Sequence, residues 1–325
     1  MPKCKLNSVH DSQTIMYYTG NMVQFLDFPY DFDPTHNLFL EALLSQSSDS
    51  KRLEDEELTF IGCYPEITLL RKALLFLQSR RSNVGMSKWL DHQKGLSRIN
   101  EVRGKKVWVT FENRRIPPEG VDLTISFDTD PNGGKNLYFP LLYSYIDFLG
   151  SNASYVRHKI TFDELQSYRF EIGRDLKERK FACTFINNPD PVRIRFIKEL
   201  SKYGNIDVFG RYTNNYVQDK IKISNNYKFI ICFENDLYPG YVTEKPLEGW
   251  LSRAVPIYWG SDAQGILNSA ALIDCSGYHS LSDAAELVAS LESKTELLEE
   301  IIKQPLLSDL TQKPDLVGFL KQLLN

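Results

Sequence analysis

The chain has 325 residues, of which 42% are hydrophobic and 25% charged, and its formal net charge at pH 7 is −4. This composition is ordinary for a folded globular protein, and the length favours two domains over one. The small negative charge argues against a dedicated nucleic-acid-binding protein, because such proteins carry a surplus of lysine and arginine that contacts phosphates.

The cysteines and the lengths of the apolar runs further limit which class of protein this is. The five cysteines are scattered, and none forms a CxxC pair. Cys183 and Cys232 lie within apolar runs, so we expect buried thiols and a reducing compartment rather than a disulfide framework. No apolar run approaches the roughly 20 residues that span a bilayer. The N-terminus has no apolar core of a secretory signal, so we expect neither a signal peptide nor a transmembrane segment.

In the first half, apolar runs alternate with segments of helical periodicity, which predicts an α/β domain. The predicted strands are Gln13–Tyr18, Leu58–Cys63, Lys105–Phe111 and Val121–Phe127, and the predicted helices are Asn37–Leu44 and Ile67–Arg80.

Glu112 lies at the carboxyl end of the third predicted strand, within the run Trp108–Asn113. In open α/β sheets, ligands bind outside the carboxyl ends of the strands. A carboxylate at that edge can act as a general base toward a hydroxyl group. Position alone leaves a second interpretation open, a solvated glutamate in a loop before Pro117 and Pro118.

Two short acidic patterns match DxD, which can hold a divalent metal beside a diphosphate. They are Asp31-Phe32-Asp33 and Asp128-Thr129-Asp130. The second precedes a cluster of turn residues at 131–134, so we interpret it as an Asx-rich turn. The histidines are dispersed without metal-ligand spacing. We expect no protein-bound metal.

In the second half, a helix at Val192–Tyr203 is predicted between strands at Phe181–Ile186 and Ile206–Phe209. Arg193 and Arg195 lie near its start, where a guanidinium opposes the helix dipole and needs an anionic partner. A diphosphate would supply one through bidentate hydrogen bonds. An exposed surface arginine is the alternative.

The segment Lys228–Ser261 predicts a strand, a loop, a helix and a second strand in succession. Phe229–Phe233 is a continuous apolar run, typical of a strand covered on both faces. Thr243 is predicted to N-cap a helix at 244–253, and Val255–Trp259 to form a second buried strand.

The first turn of that helix has the chemistry of a phosphate site. Its unpaired N–H groups and positive dipole end attract anions, and Lys245 adds a full charge. Glu244 can accept hydrogen bonds from a ribose diol, so a nucleoside diphosphate fits here. From spacing alone, a buried βαβ unit with a solvated Glu–Lys pair fits equally well.

The chain after Ser261 continues the alternation. The predicted elements are a short helix at Ala263–Leu267, a strand at Ala271–Cys275, and helices at Ser282–Glu292, Thr295–Gln304 and Leu316–Leu324.

The central segment resembles a known family. FEN at Phe233–Asn235, YVTEK at Tyr241–Lys245 and a Pro-containing strand that ends at Gly260 look like the signature of the bacterial-type α-1,3-fucosyltransferases, glycosyltransferase family 10. The resemblance is dense from Tyr227 to Ser261 and thinner elsewhere.

The resemblance implies an α/β fold in the GT-B arrangement, with two Rossmann-like domains facing a cleft. We divide the chain into an N-terminal acceptor-binding domain at 1–165, a GDP-fucose-binding domain at 166–305, and a C-terminal helix at 306–325 that packs across the domain junction. No GxGxxG follows the first strand, which disfavours a nicotinamide-dependent dehydrogenase.

The family's reaction implies roles for particular residues. It is an inverting transfer of L-fucose from GDP-fucose to an acceptor hydroxyl, with no essential metal or other cofactor. The expected hydroxyl is O3 of N-acetylglucosamine or glucose, and the sequence leaves attack by the 4-hydroxyl open. The implied roles are base for Glu112, diphosphate contacts for Arg193 and Lys245, ribose or sugar contacts for Asn235 and Glu244, and a fucose contact for Tyr241. Arg195 stays the alternative to Arg193.

The expected acceptor is an oligosaccharide such as N-acetyllactosamine or a lipopolysaccharide glycan. Animal and plant relatives carry an N-terminal anchor. We therefore expect either a cytoplasmic bacterial enzyme, peripheral at the inner face of the membrane, or a Golgi-lumenal catalytic domain without its anchor.

Three other functions stay open. They are a GT-B transferase that uses another nucleotide sugar, a catalytically silent glycan-binding or scaffold protein, and a metal-dependent GT-A enzyme that uses Asp128 and Asp130.

Overall fold

The computed structural model describes residues 5–6, 13–18, 21–26, 28, 32–45, 57–62, 102, 104–111, 117, 119–171 and 176–324. The predicted helix at Ile67–Arg80 and the candidate base Glu112 lie outside these residues. The chain forms two compact units, unit 1 within 1–139, 151–156 and 314–325, and unit 2 within 140–150 and 157–313. These boundaries differ from the division at residues 165 and 305, which stays a prediction.

Strands and helices are numbered along the described chain. The strands are β1 (Lys5–Leu6), β2 (Gln13–Tyr18), β3 (Asn21–Leu26), β4 (Glu57–Ile61), β5 (Lys105–Val109), β6 (Leu123–Ser126), β7 (Asn136–Tyr138), β8 (Ile146–Asp147), β9 (His158–Thr161), β10 (Lys180–Phe185), β11 (Ile206–Phe209), β12 (Tyr227–Phe233), β13 (Val255–Trp259) and β14 (Ile273–Asp274). The helices are α1 (Leu38–Leu44), α2 (Leu141–Ser144), α3 (Phe162–Ser167), α4 (Pro191–Leu200), α5 (Lys220–Ser224), α6 (Lys245–Leu251), α7 (Leu281–Leu291), α8 (Thr295–Lys303) and α9 (Leu316–Lys321).

Unit 1 is built on a sheet in which the described strands follow the order β1 to β7. From β3 to β7 the strands are parallel, whereas β2 pairs antiparallel with both β1 and β3. The amide side chain of Asn37 caps α1 by accepting a hydrogen bond from the Leu40 N–H at 2.9 Å. Helix α9 contacts α1, so the end of the chain belongs to the same unit as its beginning.

Unit 2 is built on a fully parallel sheet whose described strands follow the order β11-β10-β12-β13-β14. Strand β12 is the most apolar of them and carries Phe229–Phe233 in the core, as its uninterrupted apolar run predicts. The ring of Phe196 on α4 packs 4.5 Å from the ring of Phe233, between centroids. Helices therefore cover the sheet, in the manner of doubly wound α/β folds.

This strand order fixes where a ligand can bind in unit 2. The chain moves from β10 outward to β11, then returns past β10 to β12 and continues to β14. The order therefore reverses between β10 and β12. Such a switch point opens a crevice at the carboxyl ends of the two strands, where doubly wound folds bind their ligands.

Two local predictions need correction. The helix predicted at Ala263–Leu267 is wrong, because these residues form a turn and an isolated bridge to Leu307. The carboxylate of Asp262 accepts hydrogen bonds from the N–H groups of Ile266 and Leu267, at 3.0 and 2.7 Å, and this fixes the turn. Helix α6 begins one residue later than predicted, since Thr243 is not its N-cap and its side chain binds elsewhere.

Candidate functional site

A cavity of about 350 Å³ lies at the switch point of the unit 2 sheet. It is lined by residues at or just after the carboxyl ends of β10, β11 and β12, among them Phe185, Gly210, Phe233 and Asn235. The charged residues of its lining are Arg193, Lys220, Glu244, Lys245 and Glu248. Four of the predicted donor-binding residues, Arg193, Asn235, Glu244 and Lys245, thus line one cavity.

Arg193 reaches the cavity from the first turn of α4. Asp190 caps this helix and accepts hydrogen bonds from the Val192 and Arg193 N–H groups, so its carboxylate lies beside the guanidinium that the dipole disfavours. The Nη2 atom of Arg193 donates to the Phe233 carbonyl at 2.7 Å and to Asn235 Oδ1 at 3.0 Å. The side chain is therefore anchored at the end of β12.

The rest of the Arg193 guanidinium has no hydrogen-bond partner among the described residues. Within the described part of the chain, no residue accepts a hydrogen bond from its Nε or Nη1 atoms. Burial lowers the pKa of Arg193 from its very high ordinary value, and Asp190 and Glu234 oppose that shift, so the group stays charged. Arg195, in contrast, donates to the Pro191 carbonyl at 3.3 Å and lines a different surface depression.

Lys245 is held by a buried carboxylate that the sequence analysis did not single out. Glu234 directly follows β12 and has no exposed surface. Its two oxygens accept hydrogen bonds from the N–H and hydroxyl groups of Thr243, both at 2.7 Å, and from Lys245 Nζ at 2.9 Å. The Thr243 hydroxyl also lies 2.9 Å from Lys245 Nζ, which explains why it does not cap α6. The sequence feature that could have identified Glu234 is its position directly after a buried strand. A carboxylate that is buried there needs hydrogen-bond or charged partners.

The electrostatics of this group keep Lys245 charged. Burial lowers the pKa of Lys245, but the carboxylates of Glu234 and Glu244 outweigh burial and raise that pKa above its ordinary value. Burial raises the pKa of Glu234, against the opposing effect of Lys245. For Glu244, burial raises the pKa, but Lys245, Lys220 and hydrogen bonds together outweigh burial, and the pKa of Glu244 is lowered. An ammonium and a carboxylate therefore stand side by side at the cavity wall.

The other predicted donor contacts are placed as follows. Glu244 is the N-cap residue of α6 and makes no capping hydrogen bond with its side chain, which leaves its carboxylate at the cavity. Asn235 turns its amide oxygen toward Arg193. Tyr241 is buried, with 2% of its surface exposed, and does not belong to the lining of the cavity.

Two charged residues that the sequence analysis missed also line the cavity. Lys220, on α5, donates to Glu248 Oε2, on α6, at 3.0 Å. Only 11% of the Glu248 side chain is exposed, against 40% for Lys220. Glu248 follows Glu244 by one helical turn, so both carboxylates lie on the same face of α6. Only the packing of α5 against α6 brings Lys220 to this face.

Glycines permit the close packing behind the site. A β-carbon at Gly249 would lie 2.8 Å from Cys232 Sγ, so the absence of a side chain lets α6 approach β12. A β-carbon at Gly260 would lie 2.2 Å from the Tyr258 hydroxyl oxygen and 2.9 Å from Glu234 Cγ. Gly260 therefore makes room for the buried carboxylate that holds Lys245.

The predicted metal pattern forms a turn. Asp128 Oδ1 accepts a hydrogen bond from the Asp130 N–H at 3.1 Å, and Asp130 Oδ1 accepts one from the Asn132 N–H at 2.9 Å. These are the Asx contacts that the turn interpretation predicts. Among the residues that the structure describes, no group of three or more His, Cys, Asp or Glu side chains is arranged to hold a metal ion. Nor does any described helix have the length and apolar character needed to cross a bilayer.

Comparison with known proteins identifies the domain that carries the cavity. Residues 176–302 match the model of the glycosyltransferase family 10 (fucosyltransferase) C-terminal domain. The chain is 26% identical to α-(1,3)-fucosyltransferase FucT of Helicobacter pylori over 226 residues, which are 62% of this chain and 47% of that protein. It is 28% identical to human 4-galactosyl-N-acetylglucosaminide 3-α-L-fucosyltransferase 9 over 127 residues, 37% of this chain and 35% of the relative. The chain thus spans less than half the length of these relatives.

Solved structures give the same picture of the fold. A crystal structure of α1,3-fucosyltransferase with GDP-fucose matches at a TM-score of 0.57 and 24% identity, over 68% of this chain and 75% of that one. A further α1,3-fucosyltransferase structure matches at 0.58 and 21% identity, over 82% of this chain and 77% of that one. At this level of sequence identity the matches show the fold alone. They confirm the predicted GT-B fold class. Residues 176–302 are therefore similar to the C-terminal domain of the family 10 fucosyltransferases.

Proposed function

We propose that this protein is an inverting α-1,3-fucosyltransferase, which moves L-fucose from GDP-fucose to O3 of N-acetylglucosamine or glucose in an acceptor oligosaccharide. The observation that carries the proposal is the pair of cations, Arg193 and Lys245, which line one cavity at the switch point of the unit 2 sheet. The names of the relatives, α-1,3-fucosyltransferases in two organisms, support the reaction and the bond formed.

Each cation has a part in the proposed reaction. When the bond from fucose to the β-phosphate breaks, negative charge develops on the diphosphate. The guanidinium of Arg193 and the ammonium of Lys245 stabilise that leaving group, and their fixed positions avoid a cost of reorganisation. Glu234 fixes Lys245 and Asn235 fixes Arg193. With two cations on the diphosphate, the proposed reaction needs no metal ion.

The remaining roles extend the family resemblance. Glu244 accepts hydrogen bonds from the ribose hydroxyls, an assignment supported by the position of its carboxylate at the cavity. The fucose contact of Tyr241 rests on the resemblance alone, since this residue is buried and outside the lining of the cavity. Glu112 acts as general base on the acceptor hydroxyl, which attacks the anomeric carbon of an oxocarbenium-like fucosyl group from the opposite side and inverts its configuration. The role of Glu112 rests on the resemblance, since the residue lies outside the described ones.

A donor and acceptor panel tests the proposal. Purified protein is incubated with GDP-fucose, GDP-mannose, UDP-galactose or CMP-sialic acid and a glycan array that includes N-acetyllactosamine and lipopolysaccharide cores. We expect transfer from GDP-fucose alone, with an α-1,3 linkage in the product by NMR. Transfer from another nucleotide sugar would show that GDP-fucose is not the donor. Binding of GDP-fucose without any transfer would favour a catalytically silent glycan-binding protein. Activity that EDTA abolishes would contradict the metal-free mechanism.

A further inference from the structure

The lining of the cavity separates into two parts along α6. One part holds Arg193, Asn235 and Lys245, which the proposed function assigns to the diphosphate. The other part holds the Lys220–Glu248 ion pair together with Phe185, whose ring centroid lies 5.9 Å from Lys220 Nζ. Glu248 lies one turn further along α6 than Glu244 and Lys245, so the second part lies beyond the proposed ribose contact.

From this arrangement we infer that Glu248 and Lys220 read the base of the donor nucleotide and select guanine. This inference rests on the proposed function, because it takes the diphosphate to lie against Arg193 and Lys245. In a nucleoside diphosphate the base follows the ribose, so a ribose against Glu244 directs the base toward Glu248.

The carboxylate of Glu248 can accept more hydrogen bonds than the described residues donate to it. Its Oε2 atom accepts from Lys220, and within the described part of the chain its Oε1 atom accepts from no residue. Each carboxylate oxygen can accept two hydrogen bonds, so Glu248 can take two further donors without giving up Lys220. Its side chain is nearly buried, which makes a hydrogen bond to the ionised group stronger than at an open surface.

Guanine is the base whose edge matches this pair of charges. It presents two neighbouring donors, N1–H and the N2 amino group, and next to them the acceptor O6. A carboxylate can accept both donors, while an adjacent ammonium donates to O6, as lysine does in nucleic-acid recognition. Adenine and uracil offer a single donor position on the corresponding edge. The Phe185 and Tyr216 side chains add an aromatic lining against which a purine can pack.

The salt bridge has a second possible role that the test must separate. Lys220 and Glu248 also tie α5 to α6, so a variant at either position can act through stability alone. A purely structural role would change the affinity for every nucleotide by the same factor. A role in reading the base changes the ratio between nucleotides that differ only at the base edge.

The experiment compares GDP with IDP, which lacks only the N2 amino group, by isothermal titration calorimetry. For the unmodified protein we expect GDP to bind about 10-fold or more tightly than IDP, since one hydrogen bond to a carboxylate differs. Glu248→Gln should bring this ratio close to one. The amide has one uncharged acceptor oxygen, whereas the carboxylate has two acceptor oxygens and a negative charge. Lys220→Met should weaken both nucleotides and keep the ratio.

A matched control is Glu292→Gln, which breaks the ion pair of Glu292 with Lys228 in the same unit and away from the cavity. It should leave both affinities and their ratio unchanged. Equal affinity for GDP and IDP in the unmodified protein, or an equal loss of both in Glu248→Gln, would overturn the inference. If the inference is overturned but the protein still transfers fucose from GDP-fucose, the proposed function stands without the inference. If no nucleoside diphosphate binds the unmodified protein, the inference and the proposed function both fail.

Discussion

Lys245 Nζ lies 2.9 Å from Oε2 of Glu234, a carboxylate with no exposed surface, while 23% of the lysine side chain is exposed. The ion pair thus has a buried anion that holds a cation at the cavity wall. Removing either partner disturbs both folding and the site, so the two effects must be separated.

A double-mutant cycle at Glu234 and Lys245 makes that separation. Lys245→Met leaves a buried charge without its cation, and we expect the free energy of unfolding to fall by about 3 kcal/mol. Adding Glu234→Gln removes the unpaired charge and should restore part of that stability, while GDP affinity stays low because the cation is absent. Urea denaturation and calorimetry with GDP measure the two quantities. Recovery of GDP affinity in the double variant would refute a phosphate contact by Lys245.

The second prediction distinguishes Arg193 from Arg195. Arg193→Lys keeps the charge but loses the planar fork that donates to Phe233 and leaves two nitrogens for the ligand, so GDP should bind roughly 10-fold more weakly. Arg195→Lys changes an exposed side chain on the same helix, and we expect less than about a twofold effect on GDP affinity. The reverse ranking in calorimetry would assign the diphosphate contact to Arg195.

Gly260 offers a test of the space around Glu234. A β-carbon there would overlap Tyr258 and press on Glu234 Cγ, so Gly260→Ala should lower the free energy of unfolding by about 1–3 kcal/mol and weaken GDP binding. Gly277→Ala is the matched control, because no atom lies within 4 Å of a β-carbon at that position. Thermal and urea unfolding measure both variants. Equal stability of the two would contradict the close packing behind the site.

The fourth prediction concerns the pH dependence of stability through His158. Its Nε2 atom is buried and has no hydrogen-bond partner among the residues that the structure describes. Burial, with help from Arg157 and Lys220, lowers the pKa of His158 below the ordinary value of 6.5. The unfolded chain then binds the proton more readily than the folded one. The contribution to stability is therefore complete above pH 6.5 and is lost as the pH falls toward the folded-state pKa.

The experiment measures the free energy of unfolding at about pH 7.5 and about pH 5.5. His158→Gln should show a smaller loss between these values than the unmodified protein. His279→Gln, at an exposed position, should keep the full loss. An unchanged loss in His158→Gln would remove this histidine as its source.

The fifth prediction addresses the chemistry. Glu112→Gln keeps the shape of the side chain but removes the proposed base, so turnover should fall by about 10²–10⁴-fold. GDP affinity should stay nearly intact, because the described residues that line the cavity all lie in unit 2. A transfer assay with GDP-fucose and calorimetry with GDP give the two readings. Near-normal turnover would exclude Glu112 as the base.

Local pattern alone determined most elements of unit 2. Strands β11 and β13 have the predicted bounds, and β12 and α4 differ from prediction by a few residues at their ends. Uninterrupted apolar runs leave a parallel strand little freedom, because each residue must be covered on both faces. The same segments carried the motif that resembles the fucosyltransferases. Residue type and spacing made Arg193, Glu244 and Lys245 candidates, and the resemblance added Asn235.

Only the tertiary structure decided which groups meet. The sequence placed Glu234 within the FEN motif but gave no sign that it holds Lys245, which lies eleven residues further on. It also gave no reason to join Lys220 to Glu248, because that ion pair depends on how α5 packs against α6. The choice between Arg193 and Arg195 has the same origin, since the direction of each side chain depends on the register of α4 against β12. Periodicity along a chain fixes which face of an element is buried, whereas the partners of a charged group follow from packing between elements distant in sequence.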